Sequence, residues 1–269
     1  MPQPRAAYRP APIPRGASVN AVCSKRYGKL RFNILPFSLC NTIIIIMESR
    51  FFTVSSQKNQ LVTIQVAAGH FATASAHISH YIDISELKSS SGAAKSAARE
   101  LAIPCRATTV VDVIVCLEGT EIIAAYLADE LLLEGIDVMN AGGEIHVVSP
   151  MVSPDGYFIF HENIQKIIRD RNVILLVATI SSGVHVCRAM ECISYYGGRL
   201  IGVSAVFSAF PKVCGMDVCS LFSGEDVPGY QFFAPAECKM CRDGKALDAI
   251  IDSEGYTKVQ EPGSPVPVK

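Results

Sequence analysis

Residues 172–207 read NVILLVATISSGVHVCRAMECISYYGGRLIGVSAVF, and the order of patterns in this stretch decides the fold. Asn172-Val173-Ile174-Leu175-Leu176-Val177 is a short unbroken apolar run, which suits a strand buried on both faces. Ala178-Thr179-Ile180-Ser181-Ser182-Gly183 follows as a loop of small and hydroxyl residues. Across residues 184–196, Val186, Ala189, Met190 and Ile193 fall at i, i+3, i+4 and i+7, the spacing of one helical face. Gly197-Gly198 ends the helix, and residues 199–207 form another apolar strand. Strand, helix and strand in that order predict a parallel pair joined by a right-handed crossover.

The same unit repeats upstream. Val110-Val111-Asp112-Val113-Ile114-Val115-Cys116 is a β-branched run, Glu118-Gly119-Thr120 a turn, and residues 121–134 a helix. That helix has Ile123, Tyr126 and Leu127 on one face and Gly135 as its C-cap. Residues 144–148 read as the next strand, and residues 161–169 as a helix leading into Asn172. Earlier still, residues 61–66 and the alternating residues 77–84 read as strands. The Ala- and Lys-rich residues 86–101 read as a helix closed by Pro104. The fold class is therefore α/β, with a parallel sheet flanked by helices. Residues 211–269 read as an irregular Cys- and Pro-rich extension. The chain divides into an extension at 1–46 outside the fold, N-terminal strands and helix at 47–109, the core at 110–210 and the extension at 211–269.

The 269 residues are 49% hydrophobic and 18% charged, a globular composition that excludes disordered, collagenous and small disulfide-scaffold classes. The net charge of −1 gives no general electrostatic case for nucleic acid or an anionic membrane. Seven of the 24 basic residues and none of the 25 acidic ones precede Met47, as do six of the 15 prolines. Residues 32–47 (FNILPFSLCNTIIIIM) follow that basic flank like a signal or anchor segment. They are too short to span, are interrupted by Pro36 and Asn41, and lead to no small-residue cleavage site. The folded protein is expected to begin at Met47.

Several of the ten cysteines (Cys116, Cys187, Cys192) lie in apolar runs, where a reduced thiol packs as a small hydrophobe. This predicts a reducing, cytoplasmic setting. Cys238-x-x-Cys241, with Cys214 and Cys219 upstream, makes a candidate four-cysteine zinc site; ordinary thiols are the alternative. His77 and His80 point to opposite faces of an alternating strand, so His70, His77 and His80 read as surface or hydrogen-bonded histidines. Arg242, Asp243, Lys245 and Asp248 read as a solvated charged run, and Tyr195-Tyr196 as packing.

In open α/β sheets ligands bind beyond the carboxyl ends of the strands. Two loops qualify, residues 117–120 and 178–183. A hydroxyl pair plus glycine between a buried strand and a helix start suits a phosphate: backbone N–H groups and the dipole favour the anion, and Ser181 and Ser182 add donors. On spacing alone the same residues also suit a plain N-cap and tight turn.

Residues 172–207 resemble the 5-phosphoribosyl-1-pyrophosphate (PRPP) binding segment of type I phosphoribosyltransferases. There a hydrophobic strand runs into two acids, two further residues, a Thr/Ser pair and Gly. Residues 112–135 (DVIVCLEGTEIIAAYLADELLLEG) resemble the family's pyrophosphate-loop strand and helix. Cys238-Lys239-Met240-Cys241-Arg242-Asp243-Gly244 resembles the tail of some orotate-phosphoribosyltransferase-like proteins, and residues 77–85 fit the opening strand of that group. The resemblance covers most of residues 60–255. It implies a phosphoribosyltransferase-like fold and transfer of a phosphoribosyl group from PRPP to a nitrogenous base of the orotate type, in pyrimidine nucleotide metabolism. Mg²⁺ and a homodimer are implied with it. Ala178, Thr179, Ile180, Ser181, Ser182, Gly183 and Val184 would form the PRPP-binding stretch, with Ser181, Ser182, Gly183 and the helix-start amides holding the ribose 5-phosphate, and Glu118, Gly119 and Thr120 would line the pyrophosphate side. Two departures stand out. The family's two acids fall on Ala178 and Thr179, and the stretch matching its catalytic loop, residues 149–156, has no basic residue. A non-catalytic binder of PRPP or a nucleoside monophosphate is the alternative.

Overall fold

The apolar runs pair in the order the sequence requires. In this computed structural model, residues 50–133, 139–153, 155–253 and 255–259 are described. Chain order is β1 (Phe51–Ser55), β2 (Thr63–Ala72), β3 (His77–Asp83), α1 (Ser85–Ser89), α2 (Ser91–Arg106), β4 (Val113–Cys116), α3 (Glu121–Leu132), β5 (His146–Val148), β6 (Met151–Val152), β7 (Phe158–Ile159), α4 (Glu162–Ile168), β8 (Asn172–Ile180), α5 (Val184–Tyr195), β9 (Arg199–Ser208), β10 (Lys212–Val213), β11 (Met216–Ser223), β12 (Phe232–Phe233), α6 (Lys239–Arg242), β13 (Ala249–Asp252) and β14 (Gly255–Lys258).

The larger sheet has the order β10-β11-β9-β8-β4-β5, parallel throughout except for β10 at its edge. Alternation along its central strands splits the core in two. Ile114, Cys116, Ile174, Leu176 and Val206 pack with Ala97, Leu101, Ile123 and Leu127 of α2 and α3. Val113, Val115, Val173, Leu175 and Ala205 pack on the opposite face with Val186, Ala189 and Ile193 of α5 and Ile168 of α4. Burial on both faces is why these strands read as unbroken apolar runs. The fold is thus α/β, a parallel sheet flanked by helices, as the sequence implies.

A second sheet runs β12-β3-β2-β13-β14, with β1 on β2. It closes over its own core of Ala67, Phe71, Ile78, Tyr81 and Ala249. Here the structure corrects the expectation that residues 211–269 are irregular. β11 joins the parallel sheet, and β12, β13 and β14 return to the N-terminal hairpin. β12, β13 and β14 are two to four residues long and β11 is mostly half-buried, so their sequences lack the runs that mark the central strands.

Two boundaries also differ. α2 continues through Pro104 to Arg106, because a proline in the last turn forfeits a single hydrogen bond. β8 continues to Ile180, since β9 pairs with it as far as Ile180↔Ser208. Ala178, Thr179 and Ile180 are therefore strand, and the loop is residues 181–183. Gly135 and residues 1–49, with the expected start at Met47, lie outside the described residues. Among the described residues no helix is long and apolar enough to cross a membrane.

Candidate functional site

Two strand-to-helix loops open at the same end of the parallel sheet, residues 117–120 after β4 and 181–183 after β8. With the β2–β3 turn, the start of the β6–β7 hairpin and the end of β13, they line a cavity of about 400 Å³. This is where an open parallel sheet places its ligands.

The β8 loop is built around Gly183. Its φ is +76°, and a Cβ placed there would stand 2.9 Å from Val213 Cγ1. Both the backbone region and the space require glycine. Gly183 is the N-cap of α5 and has no side chain to cap it. The first helical amide returning to it is that of Cys187, 2.9 Å from the Gly183 carbonyl. The amides of residues 184–186 therefore have no acceptor within the helix. Ser182 Oγ lies 2.7 Å from Ser75 Oγ, which ties the cradle to the β2–β3 turn. Ser181, Ser182, Gly183, Thr179 and Ile180 line the cavity, whereas Ala178 and Val184 do not. Ala178 is buried on the α2 side of the sheet, and Val184 is exposed.

The β4 loop makes a sharper turn than its sequence suggests. Glu118 has φ +58° and Gly119 φ +77°, two successive left-handed residues. A non-glycine residue pays about 1–2 kcal/mol to sit there. The turn carries the Glu118 carboxylate across to β8, where Oε2 accepts the Thr179 amide N–H at 3.1 Å. Lys88 Nζ donates to the Glu118 carbonyl at 3.0 Å. Burial raises the Glu118 pKa, while the Thr179 amide and Lys88 act against that rise. A carboxylate thus stands beside Thr179, where the sequence itself has no acid. Thr120 is placed differently from the expectation. It is fully buried, and its hydroxyl donates to the carbonyls of Leu117 (3.0 Å) and Leu176 (3.3 Å), closing the turn instead of lining the cavity.

Sequence reasoning missed the other walls, because they come from distant segments. Thr73 and Ser75 arrive from the β2–β3 turn, Asp252 and Ser253 from β13 and its turn, and His185 from α5. Burial, then the Arg188 charge, lowers the His185 pKa, so its ring is neutral near pH 7. Glu121 accepts the Ser149 hydroxyl at 2.6 Å. Among the described residues lining the cavity, the formal charges are Glu118, Glu121 and Asp252, with no lysine or arginine.

The four-cysteine set does not come together. Cys214 is disulfide-bonded to Cys187, which also corrects the expectation of a reduced Cys187. Cys219 packs on the α2 side of the sheet near Cys105. Cys238 and Cys241 group instead with His70 and His77. Asp248 is not part of a solvated run either: it pairs with Arg50 at 2.8 Å and accepts the His70 amide N–H at 2.7 Å.

Solved structures similar to this chain include three with informative names. Leishmania donovani UMP synthase superposes with a TM-score of 0.44 at 18% identity, over 59% of this chain and 33% of that one, so the chain spans about a third of its length. Mycobacterium tuberculosis orotate phosphoribosyltransferase in complex with PRPP gives 0.41 at 15% identity, over 54% and 82%. Thermoanaerobacter pseudethanolicus adenine phosphoribosyltransferase gives 0.40 at 12% identity, over 67% and 99%. No family profile matches the sequence, and no curated protein does.

Proposed function

We propose that this chain is a phosphoribosyltransferase-like protein of nucleotide metabolism that binds PRPP in the cavity over β4 and β8 and passes the phosphoribosyl group to a nitrogenous base of the orotate type. The observation that carries the reading is the cradle at residues 181–183. A glycine enforced by φ and by Val213 opens a 12-residue helix into the cavity, beside two hydroxyls. A 5-phosphate would sit against the first amides of α5, of which that of Val184 reaches Ser182 Oγ at 3.5 Å, and the Ser181 and Ser182 hydroxyls, aided by the helix dipole. Neutral His185 adds a hydrogen-bonding ring. Glu118, held beside Thr179, would accept from the ribose hydroxyls in place of the acids absent at residues 178 and 179. Glu118, Glu121 and Asp252 offer the hard oxygen donors that Mg²⁺ takes together with substrate phosphates. Bound there, Mg²⁺ would offset the diphosphate charge. The homodimer belongs to the same reading.

A second reading, a binder of PRPP or a nucleoside monophosphate without turnover, is favoured by the cavity charges. The departing pyrophosphate meets three carboxylates and no lysine or arginine among the described lining residues. A single group stabilising transition-state charge is commonly worth about 10²–10³ in rate. Pyrophosphate release from PRPP and Mg²⁺, assayed with orotate and other bases, separates the two. Base-dependent release supports transfer. Saturable PRPP binding without release supports the binder. Absence of binding in folded protein refutes both.

A further inference from the structure

We propose that His70, His77, Cys238 and Cys241 form a closed, tetrahedral zinc site that staples the C-terminal segment to the β2–β3 hairpin. The donor atoms of these four residues all lie within 4.8 Å of one another. His70 Nε2 is 3.1 Å from His77 Nδ1, 3.5 Å from Cys238 Sγ and 3.6 Å from Cys241 Sγ. Cys241 Sγ is 3.3 Å from His77 Nδ1. With zinc–nitrogen bonds of about 2.0–2.1 Å and zinc–sulfur bonds of about 2.3 Å, tetrahedral edges are about 3.3 Å for N–N and about 3.6 Å for N–S. The four separations match those edges.

His70 Nδ1 lies 2.8 Å from the Lys245 carbonyl, which can only accept. The proton is therefore on Nδ1, and Nε2 carries a single bare lone pair. That lone pair faces three neighbours, and one cation would take all four donors. The contact to Lys245 is also the outer-shell bond that fixes the tautomer of a ligating histidine. Asp248 holds the same residue by its backbone, accepting the His70 amide N–H at 2.7 Å and donating its own N–H to the His70 carbonyl at 2.8 Å. His70 is fully buried and Cys238 nearly so, whereas His77 is half-buried and Cys241 exposed, and the four protein donors by themselves complete a tetrahedral set. Two thiolates and two imidazoles in a closed set suit Zn²⁺. Binding releases the two thiol protons and changes no oxidation state.

The chain path explains why such a site would be kept. His70 and His77 flank the β2–β3 turn, which carries Ser75 to Ser182. Cys238 caps α6 and Cys241 lies within it, just before β13 delivers Asp252 to the cavity. The ion would fasten two walls of the cavity from behind without touching its contents.

The test is elemental analysis of the full chain, produced with zinc in the medium and purified without chelator. We expect one zinc ion per chain, and after exchange to Co²⁺ the visible bands of a tetrahedral thiolate site. Cys241→Ser, at an exposed position, and His77→Ala should lose the metal, while Cys219→Ser keeps it. Chelation should lower the melting temperature, and added zinc should restore it. Wild-type protein that is folded yet holds no zinc and gives no tetrahedral cobalt spectrum overturns the proposal. So does a Cys238–Cys241 disulfide in its peptide map.

Discussion

Replacing Gly183 by alanine tests the cradle without touching a polar group. Two costs are legible. The left-handed backbone at φ +76° disfavours any Cβ by about 1–2 kcal/mol. The new methyl would stand 2.9 Å from Val213 Cγ1, and Val213 is buried at the sheet edge, so relief needs a shift of packed atoms. Overpacking of this kind costs about 1–3 kcal/mol. Gly183→Ala should therefore lose about 2–5 kcal/mol in urea unfolding, with the slope unchanged. Val213→Ala removes the clash and leaves the dihedral cost. The double variant should then be more stable than the sum of the single effects predicts, with a coupling of about 1–3 kcal/mol, the clash term. The same variants report on the proposed phosphate site, because a displaced Gly183 re-aims the first amides of α5 and should weaken phosphate-ester binding. A Gly183→Ala protein within 0.5 kcal/mol of wild type, about the scatter expected of an unconstrained surface site, would refute the packing argument.

Other outcomes follow from neighbouring features. Asn140 is buried and accepts the Val111 amide N–H at 2.8 Å while donating to the Thr109 carbonyl at 2.9 Å. Asn140→Ala should cost about 1–3 kcal/mol per stranded backbone group in denaturant titration, and Asn140→Asp should keep the first bond and lose the second. The disulfide between Cys187 and Cys214 closes a 27-residue separation. Chain-entropy loss in the unfolded state puts its contribution at about 3–4 kcal/mol, so thiol reductant should lower the unfolding midpoint of wild type and leave Cys187→Ala/Cys214→Ala unaffected. His185 has a folded pKa below its ordinary 6.5, so the unfolded chain binds a proton first as pH falls. Stability should decline as pH drops below 6.5, and His185→Gln should flatten that decline. Glu118 works in the opposite sense: its folded pKa is raised above 4.5, so stability falls as pH rises through that lower window, and Glu118→Gln should remove the fall.

The parts that were legible in the sequence share a physical cause. β4, β8 and β9 are buried on both faces, which writes continuous apolar runs, and α5 has one buried face, which writes the 3.6-residue period. The strand-to-helix loop at residues 181–183 was visible because a helix start after such a strand has few forms. β11 was not, since MDVCSLFS mixes half-buried and exposed positions. The role of Glu118 was hidden because it depends on a left-handed turn that a non-glycine residue seldom takes. Thr120 looked like a ligand-facing hydroxyl, yet the same turn points it at two carbonyls. The cysteine pairs misled for a topological reason. Antiparallel pairing of Ala72 with His77 puts His70 and His77 on one face of the hairpin, and the chain returns to that hairpin 168 residues after His70. Spacing along the sequence carries no trace of that return, nor of the pairing that removes Cys214.

The central claim is that the cavity over β4 and β8 holds a phosphorylated ribose. Calorimetric titration of PRPP with Mg²⁺ into the folded full chain tests it most directly. Saturable binding by wild type, abolished in Ser182→Glu where a carboxylate enters the anion cradle, is the result the account predicts. Heat indistinguishable from dilution in wild type, or undiminished binding in Ser182→Glu, would contradict it.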